Sequence, residues 1–158
     1  TKEQWYPSLV NFFNIIEKKT GSKVIIAAHP KHQYSEENSH YFGNRKIFHG
    51  KTQDLVFNAS LVLVTNSTSV SYAIMFNKPV LVLISNEIIE DNNILLQESN
   101  HLSSILGCPT INIDKIDEKL LSNFSINIDK YLAYKNKYLS SRLDNKTNGE
   151  IIIEDVIN

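Results

Sequence analysis

Residues 61–83 read LVLVTNSTSVSYAIMFNKPVLVL, and their pattern decides the fold class. Leu61, Val62, Leu63 and Val64 form a continuous apolar run ending at Thr65, which reads as a buried strand. The polar cluster Asn66, Ser67, Thr68 and Ser69 then opens a helix through Val70, Ala73, Ile74 and Phe76. Asn77 stops that helix, and Pro79 starts a second apolar strand over residues 80–84. A strand, a helix and a strand within one crossover length predict a parallel pair.

The same alternation extends outward in both directions. Upstream, Trp5, Leu9, Phe12, Phe13 and Ile16 recur at helical spacing until the Thr20, Gly21, Ser22 break. Residues 23–28 follow as a short apolar run, the pattern of a strand covered on both faces, and His29 and Pro30 terminate it. Residues 31–44 are polar and without periodicity, a long connection that signals a functional loop. A second short strand is predicted over residues 45–48 and a short helix over residues 51–59. Downstream of Ser85 a polar loop leads to a helix over residues 94–106, and Gly107, Cys108 and Pro109 turn the chain into a strand over residues 110–113. Residues 115–124 and 128–143 are helical in pattern, with a further turn near residues 151–157. Buried strands alternating with helices predict an α/β fold: a doubly wound, mostly parallel sheet with helices on both faces, forming one domain over residues 1–158.

Composition narrows the class of partner. With 16 basic and 17 acidic residues the net charge is −1, so no global field attracts nucleic acid, and none is expected as a partner. Cys108 is the single cysteine, which excludes an internal disulfide and a thiolate metal cluster and fits a reducing, cytoplasmic setting. No apolar run reaches the roughly 20 residues that cross a bilayer. The glycosylation-type triplets at Asn58, Asn66, Asn123 and Asn145 read as coincidences of an Asn- and Ser-rich chain.

In doubly wound sheets ligands bind beyond the carboxyl ends of the strands, so the residues after each strand are the candidates for function. After the first strand, Pro30 restricts His29 to extended backbone and aims its imidazole at that crevice. There it could hydrogen-bond a phosphate or nucleoside, or protonate a leaving oxygen; a turn with an exposed histidine is the plainer alternative. After the third strand, Asn66, Ser67, Thr68 and Ser69 offer three hydroxyls and several free backbone N–H groups at a helix start, which suits a phosphate. Ordinary capping needs only one such hydroxyl, and the pairing of this cluster with His29 at one crevice favours the ligand reading. His49 and Gly50 follow the second strand, where glycine lets the main chain approach a ligand. His29, His32, His40, Glu36 and Glu37 lack the spacing that fixes a metal site, and no metal or other cofactor is expected. Residues 129–142 mix Tyr131, Tyr134 and Tyr138 with Lys130, Lys135, Lys137 and Arg142, a face suited to docking on another domain or to peripheral membrane contact.

VIIAAHP at residues 24–30, the strand and helix within residues 46–59, and the stretch 61–83 together resemble the donor-binding half of GT-B glycosyltransferases, a Rossmann-like fold. The pattern is most similar to bacterial capsule and surface-polysaccharide transferases, among them sialyl- and polysialyltransferases and teichoic-acid glycerophosphotransferases. The resemblance covers residues 23–113 and implies a CMP-, CDP- or UDP-linked sugar as donor, bound by His29 of the His-Pro motif and by Ser67, Thr68 and Ser69. It also implies metal-independent transfer, with His29 as the catalytic candidate, and a partner acceptor-binding domain and a first strand upstream of residue 1. Asn66 stands where the teichoic-acid type carries an acidic residue. The turn after Asn66 also lacks the glycines and glutamate of the nucleotide-sugar 2-epimerases. An epimerase-like enzyme and a non-catalytic nucleotide-binding or interaction module are the alternative readings.

Overall fold

The computed structural model describes residues 2–29, 34, 36–91, 93–121 and 124–139. It is an α/β fold whose sheets are wholly parallel and flanked by helices, as the alternating pattern predicts. The elements run α1 (Lys2–Thr20), β1 (Ile26–Ala28), β2 (Ile47–His49), α2 (Thr52–Asn58), β3 (Val62–Val64), α3 (Val70–Met75), β4 (Val80–Ile84), α4 (Asn86–Asp91), α5 (Asn93–Leu106), β5 (Thr110–Asn112) and α6 (Ile128–Tyr134). A 3₁₀ segment, Glu36–Phe42, lies between β1 and β2, and a second, Glu118–Leu121, follows β5.

Strand pairing divides the sheet in two. β1 pairs with β2 in register Ile26 to Ile47, while β3, β4 and β5 pair in that order, Val62 with Val80 and Val82 with Thr110. All five residues of β4 are buried, because it has a strand on either side and helices on either face. Its side chains alternate between two cores, as the period of two requires. Leu81 and Leu83 join Leu9, Phe12, Phe13 and Ile16 of α1, whereas Val80 and Val82 join Val70, Ala73 and Ile74 of α3, Leu106 of α5 and Tyr131 of α6.

α1 docks through the stripe Leu9, Phe12, Phe13 and Ile16, spaced to lie on one helical face. The helix ends where Gly21 adopts φ 68° and its N–H reaches the Glu17 carbonyl at 2.9 Å. Glu17 and Arg45 then tie α1 to the segment before β2. Arg45 donates from Nε to Glu17 Oε1 at 3.1 Å and from Nη2 to Oε2 at 2.6 Å, and Glu17 Oε1 also accepts from the Val24 N–H at 2.8 Å. The Arg45 hydrogen bonds hold the Glu17 carboxyl below its ordinary range.

Several expectations need correction. The first strand is shorter than residues 23–28 and is not covered on both faces: Ile25 is 48% exposed and Ala27 is exposed, because among the described residues β1 pairs with a strand along one edge only. Leu61, Val62 and Leu63 are only half-buried for the same reason. Within residues 31–44 the 3₁₀ turn is anchored by Phe42, buried among Tyr6, Tyr34 and Tyr41, a contact that no periodicity advertises. Beyond Ser85 the chain forms α4, not a loop. Ser85 Oγ accepts the Ile88 N–H at 3.2 Å, and Ile88 is buried. Residues 115–124 yield only the short 3₁₀ segment among the described residues. The helix expected over residues 128–143 is α6 followed by a π turn, Lys135–Leu139; its remainder and the turn near residues 151–157 lie outside the described residues. No helix among the described residues is long and apolar enough to cross a membrane.

Candidate functional site

The turn at residues 65–69 leaves the carboxyl end of β3 and separates two cavities. Asn66 and Ser67 line both of them. The larger, about 710 Å³, opens between the carboxyl ends of β1 and β3, with His29 on one side and Asn66, Ser67 and Ser69 on the other. The smaller, about 320 Å³, is an open depression lined by Asn66, Ser67 and Thr68, by Glu98, His101, Leu102 and Ile105 of α5, and by Tyr134 and Tyr138.

The local geometry of the turn differs from a simple anion cradle. Ser67 Oγ and Ser69 Oγ are 2.6 Å apart, and Ser67 Oγ also accepts the Ser69 N–H at 3.2 Å. The N–H groups of Val70, Ser71 and Tyr72 reach the carbonyls of Ser67, Thr68 and Ser69 at 3.1 to 3.2 Å. The backbone donors expected to be free are therefore engaged from Ser69 onward, because the start of α3 tightens into i to i+3 bonds. Ser69 is the N-cap residue by position but makes no side-chain cap bond. What the turn presents to the cavities is hydroxyl chemistry: Ser67 toward both, Thr68 toward the smaller and Ser69 toward the larger.

Asn66 is held in place by donating from Nδ2 to the Glu98 carboxylate. Glu98 and His101 lie three residues apart on one face of α5, which carries both toward the smaller cavity. The far wall comes from α6 and its π turn, where the Tyr134 and Tyr138 rings lie 4.7 Å apart and tilted by 47°. Lys137 Nζ sits 5.0 Å from the Tyr138 ring centre.

That wall is positioned by four contacts. The Tyr131 hydroxyl donates to the Lys78 carbonyl at 2.8 Å, and Lys135 Nζ donates to Asn77 Oδ1 at 3.0 Å. Asn127 Oδ1 accepts the Lys130 N–H at 3.1 Å and caps α6, while Lys130 Nζ reaches the Ser104 carbonyl at 2.6 Å. Gly107 makes the close approach feasible: at φ 65° its missing Cβ would fall 2.8 Å from Lys130 Cδ. Burial pushes the Tyr131 hydroxyl well above the usual tyrosine range, so it remains a donor at every physiological pH. Tyr131 thus belongs to the domain's own core, which corrects its assignment to an outward docking face. Ile128, Leu132 and Tyr138 of the same segment remain about half exposed.

The sequence-predicted residues are thus only partly gathered. His29, Asn66, Ser67 and Ser69 share the larger cavity, and Thr68 joins Asn66 and Ser67 at the smaller. His49 and Gly50 line neither; His49 Nε2 lies 2.8 Å from the Tyr34 carbonyl, and Gly50, at φ 65°, faces open space. Pro30 lies outside the described residues, as do His32 and Arg142. Among the described residues no group of three metal-ligating side chains is gathered. Glu98 and His101 escaped the sequence reading; their three-residue spacing on a helix following β4 is the signal that could have found them. In comparisons with known proteins, the chain matches no family, no curated protein and no solved structure.

Proposed function

We propose that this domain binds the nucleotide part of a CMP-, CDP- or UDP-linked sugar as the donor half of a glycosyltransferase of surface-polysaccharide synthesis. The observation that carries the reading is the Asn66 to Ser69 turn, whose hydroxyls border two cavities at once at the carboxyl end of a parallel sheet. A nucleotide needs three kinds of partner, and all three are gathered about this turn. The Ser67 and Thr68 hydroxyls suit phosphate oxygens, the Glu98 carboxylate can accept from ribose hydroxyls, and the tilted pair Tyr134 and Tyr138 offers a face for the base.

On this reading the sugar extends from the smaller cavity toward the larger one, where His29 lies. In transfer, the bond from the anomeric carbon to the donor phosphate oxygen breaks and the nucleotide leaves with the electron pair. The bond to the acceptor oxygen forms, and the acceptor proton passes to a base in the acceptor-binding part of the enzyme. His29 and the hydroxyls of the turn stabilise the charge that builds on the leaving phosphate.

NMR titration of the 158-residue chain with CMP, CDP, UMP and UDP tests the binding step. Saturable shifts at residues 66–69 and 98–101 are expected for at least one nucleotide, weakened about tenfold or more by Glu98→Gln, because a hydrogen bond to a charged group contributes about 1.5–3 kcal/mol. In transfer assays of an intact enzyme, His29→Ala and the double change Ser67→Ala/Thr68→Ala should each lower turnover on the order of 10²-fold with the fold retained. Failure of all four nucleotides to bind saturably refutes the donor reading and leaves an interaction module.

A further inference from the structure

The net charge of −1 conceals a segregation of charge along the strand direction. Each strand is parallel to its neighbours, and α2 and α3 return the chain from the carboxyl end of one strand to the amino end of the next. The domain therefore has two distinct ends, and the candidate site lies at the carboxyl one. The amino end is built from the last turns of α1, α2 and α3, from the residues that enter each strand, and from the first turn of α6, which packs against Gly107 just ahead of β5.

Lysines crowd this amino end. Lys18 and Lys19 close α1, Lys23 precedes β1, Lys46 precedes β2, Lys78 precedes β4, and Lys130 lies in the first turn of α6. Lys78 is half-buried and the others are exposed. Among the described side chains the acids at this end are Asp129 and Glu17, and Arg45 neutralises Glu17 across a 2.6 Å ion pair. Acids gather instead at the opposite end, where α4 and the segment after β5 carry Glu87, Glu90, Asp91, Asp114 and Asp117. Lys51 and Lys115 lie at that end as well.

Exposed apolar side chains share the amino end with the lysines. Phe57 in the last turn of α2 is 60% exposed, Met75 at the end of α3 is 53% exposed, and Ile128 at the start of α6 is 50% exposed. Phe57 meets Phe76 edge to face with ring centres 5.2 Å apart, and Lys78 Nζ stands 5.9 Å from the Phe57 ring centre, so cation and ring belong to one patch. Large apolar groups left in water are a loss that a partner surface can recover. The tyrosines of α6 take no part in this patch, since Tyr131 is buried and Tyr134 lines the smaller cavity.

We propose that the amino end of the sheet docks on an anionic lipid bilayer, with Phe57, Met75 and Ile128 entering the headgroup boundary and the lysines lying among lipid phosphates. Two features favour lipid over nucleic acid. The free cations are lysines, the arginine at this end being committed to Glu17, whereas nucleic-acid recognition draws on the arginine fork. Met75 and Ile128 can enter an apolar boundary but offer a base no ring to stack on. The acids of the opposite end are repelled by the same surface, which sets the orientation: the candidate site faces away from the bilayer. The inference uses none of the residues assigned to the nucleotide and does not depend on that reading.

Flotation of the full 158-residue chain with vesicles of phosphatidylcholine, alone or with about 30% phosphatidylglycerol, tests it. Binding is expected to the anionic vesicles alone, and it should weaken about tenfold or more between roughly 50 and 500 mM salt. Lys18→Gln/Lys23→Gln should lower the partition coefficient about twentyfold, near fivefold for each lysine brought to the surface. Lys51→Gln/Lys115→Gln makes the same change in net charge at the opposite end and should lower it by less than about twofold. Phe57→Ser/Met75→Ser should lower it about tenfold or more with the salt dependence kept. Each substituted side chain is exposed, so an unchanged Tm is the check that every variant is folded. Absence of binding to anionic vesicles overturns the inference. So do equal losses from the two lysine pairs, and undiminished binding by Phe57→Ser/Met75→Ser. A DNA duplex of about 20 base pairs that binds at least as tightly and displaces the chain from the vesicles would reassign the face to nucleic acid.

Discussion

Replacing Tyr131 with phenylalanine removes one oxygen from the contact that fastens α6, and with it the aromatic wall of the smaller cavity, to the body of the domain. Tyr131 is 2% exposed, its ring packs in the second core, and its hydroxyl donates to the Lys78 carbonyl at 2.8 Å. Phenylalanine keeps the ring, so packing is preserved and the loss is confined to the hydrogen bond and to a carbonyl left without its donor. Such a loss amounts to about 1–2 kcal/mol. For a chain of this length each kcal/mol shifts Tm by roughly 2–4 °C, which gives an expected fall of about 2–8 °C. Tyr131→Ala also empties the ring site and should cost about 3–5 kcal/mol, a fall of about 6–20 °C. Thermal unfolding followed by circular dichroism measures both variants on matched preparations. An unchanged Tm in Tyr131→Phe would refute the hydrogen bond as a fastening. A fall in Tyr131→Ala no larger than that in Tyr131→Phe would refute the ring as a core element.

Two further outcomes follow from ionisable groups. The Glu17 carboxyl titrates below its ordinary value of 4.5, chiefly because Arg45 hydrogen-bonds its charged form. Its stabilising contribution is thus fully present above pH 4.5 and is lost as the pH falls through the lower folded-state value. Tm measured from pH 7 downward should fall more steeply in the parent than in Glu17→Gln once the pH drops below 4.5, and parallel curves would contradict the clamp. Burial pushes the Cys108 thiol from 9.0 up to about 11, which lowers its thiolate fraction at neutral pH about a hundredfold. Iodoacetamide at pH 7.5 should label it very slowly in the native chain and quickly in denaturant; equal rates would place the thiol in solvent.

The alternation of apolar runs with helical stripes was enough to read the α/β class, the parallel crossover from β3 through α3 to β4, and α1. Val80 to Ile84 is apolar at every position because both of its faces are buried, so its limits could be read directly. Elements held by a single capping or packing contact were not readable in this way. α4 depends on the Ser85 cap and the buried side chain of Ile88, and the 3₁₀ segment on Phe42 among three tyrosines; neither contact leaves a period in the sequence.

For the candidate site, the strand-end rule brought out His29 and the Asn66 to Ser69 turn, because position after a strand is a property of sequence order. What order cannot reveal is which distant residues share a cavity. Glu98, His101, Tyr134 and Tyr138 come from α5 and from α6 with its π turn, and the Asn66 to Glu98 contact and the Tyr131 anchor bring them to the turn. The same limit explains His49 and Gly50, which follow a strand as His29 does but line neither cavity: the His49 ring meets the Tyr34 carbonyl instead. Apolar runs determine that strands form and are buried, through solvent exclusion that acts locally along the chain. Strand order, the larger cavity lined by β1 and β3, and the partners of each functional side chain were decided only in the tertiary structure, because they depend on packing between segments far apart in sequence.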